Sequence, residues 1–215
     1  MLCSKLIMAT FRTSRTFDVL FLLAVTGLLV MAAVNRQAIG DKVFFLTYKP
    51  STQTVQLATD AGLSSYGRAL LYRSNPQFDD LAAVTAECDV ERLGCLSSRG
   101  QTFILGDPTK PAQTIVTGAH EMLHLAYRRL AQIKKDELAP LLDQAIAAQA
   151  IGSGLNDELR SETTPEDRRD EAHSLLGTEY KNLPPELETY YKTYFSDRSK
   201  VLAATASENL DLPSR

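Results

Sequence analysis

Sixteen consecutive residues without a charge, Val19 to Val34 (VLFLLAVTGLLVMAAV), lie near the start of the chain, and Asn35 and Arg36 close them. As a helix this run is about 24 Å long. That is a little short of a hydrocarbon core of about 30 Å, but within what bilayer thinning and snorkelling flanks accommodate. A buried core helix would carry polar positions at helical period, and this run has almost none. Residues 1–18 are therefore expected to form a short cytoplasmic segment and residues 19–36 one transmembrane helix, with a folded domain over 37–207 and a frayed tail over 208–215. The same run also fits a cleavable signal peptide. Ala32 and Ala33 do not place small residues both three and one before a cut, so an uncleaved signal anchor is the expectation.

Charge at the two ends of the span does not orient it: Lys5, Arg12 and Arg15 precede it, and Arg36, Lys42 and Lys49 follow. Cysteine does. Cys88 and Cys95 stand seven positions apart around Gly94, a spacing that a turn can close into a disulfide, which persists outside the reducing cytoplasm. Two buried free thiols are the alternative. Cys3 would then lie on the opposite, reducing side. The domain is thus expected to be extracytoplasmic. The formal charge of −3 and the scatter of eight Tyr and eight Phe leave neither a basic footprint nor a stacking platform, so nucleic acid is not an expected partner.

Within the exported part, Val43–Thr47 and Thr54–Leu57 read as a hairpin around Lys49-Pro50-Ser51. Leu63, Tyr66, Leu70 and Leu71 have helical spacing, interrupted by Gly67. QTFILGDPTKP is a strand stopped by Gly106, Asp107 and Pro108. Everything after Pro111 is predicted helical. One helix spans 112–133 and a second covers DELAPLLDQAIAAQA. A third has Thr164 as N-cap, Pro165 at N1, Asp167 at N3 and Gly177 as its stop, and another begins behind Pro184 and Pro185. The fold class is α+β: a small, mostly antiparallel sheet packed on a helical bundle.

Two of the three histidines lie in TGAHEMLHLAYRRL, where His120, Glu121 and His124 match H-E-x-x-H. Residues four apart on a helix are offset by about 40°, so both imidazoles reach one metal ion while Glu121 stands beside them, able to hold a water. Ala119, Leu123, Ala126 and Leu130 form the neighbouring apolar stripe that fixes the helix in the core. Zinc needs a third protein ligand, and Glu171, His173 and Glu179 are the candidates. Glu171 aligns with Leu175 one turn on, beside the face that packs on the motif helix. His173 points about 200° away from Glu171, so both cannot be ligands without distortion. Glu179 follows the stop at Gly177 and reads as supporting or structural.

With HEMLH on a helix, TFIL just before it and a Glu on a later helix, residues 100–180 resemble the zinc metallopeptidases of the gluzincin type, particularly minimal ones. The resemblance implies a zincin-like fold and Zn²⁺ held by His120, His124 and Glu171. It further implies Glu121 as general base and Thr102–Leu105 as the edge strand that holds a peptide or protein substrate. Many gluzincins carry an Asp four positions after the ligand Glu; here that position is Leu175, with Ser174 before it. As donor to the developing oxyanion, His173 is preferred to Tyr180, Tyr190, Tyr191 and Tyr194, because the spacing in LETYYKTYF is that of core aromatics. The leading expectation is a membrane-anchored zinc metalloendopeptidase. The alternative is a non-catalytic, membrane-tethered envelope or binding module with a structural zinc site.

Overall fold

The computed structural model describes residues 3–88, 93–149 and 154–207, with side chains from Phe17 onward in those ranges. The tail expected to fray, 208–215, lies outside the described residues. The chain divides into two units, Met1–Lys49 and Pro50–Arg215.

The described residues of the first unit form two helices. Helix α1 (Cys3–Val34) contains Phe17–Val34, which has a mean hydropathy of 2.5 and no buried residue. It is long and apolar enough to cross a membrane. Asn35 interrupts the helix, and α2 (Arg36–Thr47) follows. The first arm of the expected hairpin, Val43–Thr47, is therefore helix. Its β-branched and aromatic residues express only a weak, context-dependent strand preference.

The second unit begins with α3 (Thr52–Asp60), which replaces the other expected arm. Ser51 caps it by accepting the Thr54 amide at 3.1 Å. Thr54, Leu57 and Ala58 then turn inward together, the i, i+3, i+4 pattern of a helix rather than the alternation of a strand. Helix α4 (Ser65–Arg73) stands where it is expected, capped by Ser64. Gly67 is a site of close approach: a Cβ there would meet the Tyr194 backbone.

Three short strands follow, β1 (Gln77–Asp79), β2 (Gly94–Leu96) and β3 (Thr102–Leu105), with α5 (Leu81–Cys88) between the first two. Their order is β1-β3-β2. β1 pairs with β3 in parallel, Phe78 opposite Ile104, and β2 pairs with it antiparallel, Cys95 opposite Phe103. The sheet is thus mixed rather than mostly antiparallel, and Thr102–Leu105 is its central strand rather than its edge. The burial of Thr102, Phe103 and Ile104 explains why: this apolar segment is covered on both sides. Cys88 at the end of α5 and Cys95 in β2 are joined as a disulfide.

Helix α6 (Pro111–Arg128) is the centre of the second unit. It packs against α3, α4, β2, β3, α9 (Pro165–Thr178) and α11 (Ser199–Ser207), and its residues Val116 to Leu123 are all buried. Ala119, Leu123 and Ala126 lie in the core as expected, and Leu130 packs against it. Helix α6 stops five residues before the expected end, and α7 (Gln132–Ala148) begins after a turn, carrying Pro140 inside it. After the short α8 (Leu155–Glu158), Thr164 caps α9 by accepting the Asp167 amide at 3.1 Å, with Pro165 in the first turn, as the sequence predicts. Gly177 does not stop the helix. It sits inside the last turn because a Cβ there would lie 2.8 Å from the Tyr191 ring and collide with Leu123. Helix α10 (Pro185–Tyr191) follows its two prolines.

Candidate metal centre

The α6–α9 contact brings one pair of imidazoles and one carboxylate together. His120 and His124 project from adjacent turns of α6, with their Nε2 atoms 3.1 Å apart. From α9, Glu171 Oε1 lies 3.5 Å from His120 Nε2 and Glu171 Oε2 lies 3.3 Å from His124 Nε2. These residues form a group that could hold a metal ion. The distances themselves test the fit. A small divalent ion bonded to N and O at about 2.0–2.2 Å in a tetrahedral arrangement separates its ligands by roughly 3.4 Å. The two imidazole nitrogens stand 3.1 Å apart, close to that edge, each lies within 3.5 Å of one Glu171 oxygen, and one ligand atom from each of the three residues lies within 4.8 Å of the others.

Burial fixes the site on a rigid base. His120 and Glu121 are almost wholly enclosed, at 1% and 3% exposure. A cavity of about 190 Å³ opens onto the group and is lined by His120, Glu121, His124 and Glu171, with Cys95 and Leu96 of β2 at one wall. Glu121 therefore faces the same space as the ligand atoms, which is what its position directly after His120 implies.

Asp170, which the sequence reading did not single out, completes the arrangement. Its Oδ1 lies 2.7 Å from His124 Nδ1, so His124 is held through one ring nitrogen while the other points into the group. Asp170 immediately precedes Glu171 on α9, whereas Leu175, four positions after Glu171, is buried in the core. Burial alone would lower the His124 pKa. Hydrogen bonds to Asp170 and Glu171 and the charges of Asp170 and Glu121 outweigh it and raise the value to about 10. Arg128, one turn beyond His124 on the same face, lines the cavity as well and was also passed over. An i+4 repeat from His124 was the available signal.

His173 is placed elsewhere. It is 0% exposed, and its Nε2 lies 2.9 Å from the Tyr190 hydroxyl, which in turn lies 3.0 Å from the Tyr194 hydroxyl. Tyr191 donates to the His173 carbonyl at 2.7 Å, and the Tyr127 ring packs 5.4 Å away. Burial drives the His173 pKa down to about 3. His173 is enclosed in tyrosines and is not among the residues that line the cavity. Tyr190, Tyr191 and Tyr194 are core aromatics, as their spacing suggests. Glu179 forms the C-cap of α9, and neither it nor Tyr180 lines the cavity. Comparison with protein-family models, with curated proteins and with solved structures finds no match to this chain.

Proposed function

We propose that this protein is a membrane-anchored zinc metallopeptidase that hydrolyses peptide bonds outside the cytoplasm. The observation that carries the reading is the convergence of His120, His124 and Glu171 on one wall of a cavity that Glu121 also lines. A structural zinc site is closed by four protein ligands, whereas three ligands beside an open cavity leave a position for chemistry. Zinc bound there would supply Lewis acidity toward a peptide carbonyl and toward water.

The rest is work for the chain's own residues. Glu121 accepts the proton of the attacking water and delivers it to the amine nitrogen as the C–N bond breaks. Asp170 holds His124 Nδ1, which leaves Nε2 as the nitrogen that would bind a metal ion. An extended substrate adds to the sheet along β2, the edge strand that lines the cavity, and not along β3, both of whose sides are taken. The apolar helix favours anchorage in a membrane, and the Cys88–Cys95 disulfide favours an oxidising location for the domain.

The test is Glu121→Gln in the full-length chain, purified in detergent and loaded with zinc. The variant should keep its metal and its fold while hydrolysis of a broad library of unstructured peptides falls by at least ~10². No hydrolysis by the zinc-loaded wild type across that library would instead favour a tethered module in which zinc is structural, and full activity in the variant would remove Glu121 from the role of general base.

A further inference from the structure

The ladder between β2 and β3 fixes which backbone groups of β2 are turned toward the cleft. Leu105 N donates to Leu93 O at 2.7 Å and Ser97 N donates to Gln101 O at 2.9 Å. In an antiparallel pair, residues facing the partner strand alternate with residues facing away. Positions 93, 95 and 97 therefore face β3, and the N–H and C=O groups of Gly94 and Leu96 point to the open edge. Among the described residues no strand pairs with that edge.

One side chain reaches it. Arg128 Nη1 donates to Leu96 O at 3.2 Å and to Ser97 O at 3.4 Å. The same guanidinium turns its Nε toward Asp170 Oδ2, 3.6 Å away, and the other oxygen of that carboxylate holds His124 Nδ1 at 2.7 Å. A continuous run of polar contacts thus leads from the outward carbonyl of β2, through Arg128 and Asp170, to an imidazole of the metal group. Arg128 is also half-exposed at the cavity wall. A planar fork suits this task because it can engage two acceptors in different directions at once, which a single ammonium cannot.

We propose that Arg128 is a positioning residue that couples the open edge of β2 to the metal ligand His124 through Asp170. This rests on the metal-site reading above. The Leu96 carbonyl has two lone pairs, so Arg128 can steady it while the backbone N–H of an extended peptide takes the second. The contact that sets the substrate strand then also sets the carboxylate that orients His124.

The experiment measures Co²⁺ affinity and the visible Co²⁺ spectrum in the full-length chain in detergent, for wild type, Arg128→Ala, Arg128→Lys, Asp170→Asn and the Arg128→Ala/Asp170→Asn pair, with thermal melts alongside. Asp170→Asn should weaken binding about 10- to 100-fold. Arg128→Ala should weaken it about 3- to 10-fold, within the range of contacting pairs. Arg128→Lys should track Arg128→Ala, with the same spectral change, because it keeps the charge and loses the fork. The double variant should bind no more weakly than Asp170→Asn alone, since both substitutions cut one path. Wild-type affinity and spectrum in Arg128→Ala, rescue by Arg128→Lys, or additive losses in the pair would each overturn the coupling while leaving the metal site standing. Failure of the wild-type chain to bind Co²⁺ at all would overturn the metal-site reading and the coupling with it.

Discussion

Glu171 and His173 stand two residues apart on α9 and end in opposite surroundings. Glu171 meets two imidazoles across the α6 interface, in a group that also gathers Asp170 and opens onto a cavity. His173 is sealed among Tyr127, Tyr190, Tyr191 and Tyr194, with its Nε2 spent on a phenol. The half-turn between them sends one side chain to the polar seam and the other to the aromatic core. Residue type does not decide a role here. Histidine is the commoner metal ligand in general, yet it is the carboxylate that stands beside His120 and His124, because α9 presents it to α6.

If that contrast is real, the two residues fail in different ways. His173→Ala removes a fully enclosed ring and one of the two hydrogen-bond partners of the Tyr190 hydroxyl, so it should lower stability by about 2–5 kcal/mol, the scale of large-to-small core substitutions. Chemical denaturation checks this, and a change below about 0.5 kcal/mol would deny the enclosure.

A second effect separates His173 from His124 by pH. His173 titrates near pH 3 when folded, against an ordinary value of 6.5, so the unfolded chain takes up its proton first. The stability it contributes is present above pH 6.5 and lost as pH falls toward 3, with a slope of at most about 1.4 kcal/mol per unit. His124 runs the other way in the metal-free protein. Its folded pKa is raised to about 10, so its contribution is present below pH 6.5 and lost as pH rises toward 10. Denaturation of the chelator-treated chain across pH 4 to 10 should show both slopes. His173→Gln should flatten only the acid one, and a variant that flattens neither would break the contrast.

What the sequence disclosed follows the range of the interactions. The H-E-x-x-H spacing, the Thr164 cap with Pro165, and the apolar stripe of α6 are local, written within one or two turns, and they stand in the structure. The helix that carries Glu171 was legible for the same reason, and the half-turn between Glu171 and His173 separated two candidates by helix geometry alone. Other features depend on partners far along the chain. β2 is three residues long and acquires its identity only by lying against β3, so Gly94–Leu96 carried no pattern to read. Asp170 and Arg128 gain their roles by meeting His124 and the β2 carbonyls across α6. The hairpin reading at 43–57 failed because Val43, Phe44, Thr54 and Val55 satisfy strand preference over a short window, while the Ser51 cap and inward-facing Thr54, Leu57 and Ala58 settle α3 as helix.

The most direct measurement is the metal content of the purified full-length chain, determined by elemental analysis for wild type, Glu171→Ala and His173→Ala, with thermal melts to show that each is folded. About one divalent ion per chain is expected in wild type and in folded His173→Ala, and most of it should be lost in Glu171→Ala, because a site of three ligands does not retain its ion on two. Full occupancy in Glu171→Ala together with loss in His173→Ala would contradict the assignment of α9's two sides, and a wild-type chain that takes up no metal would contradict the site itself.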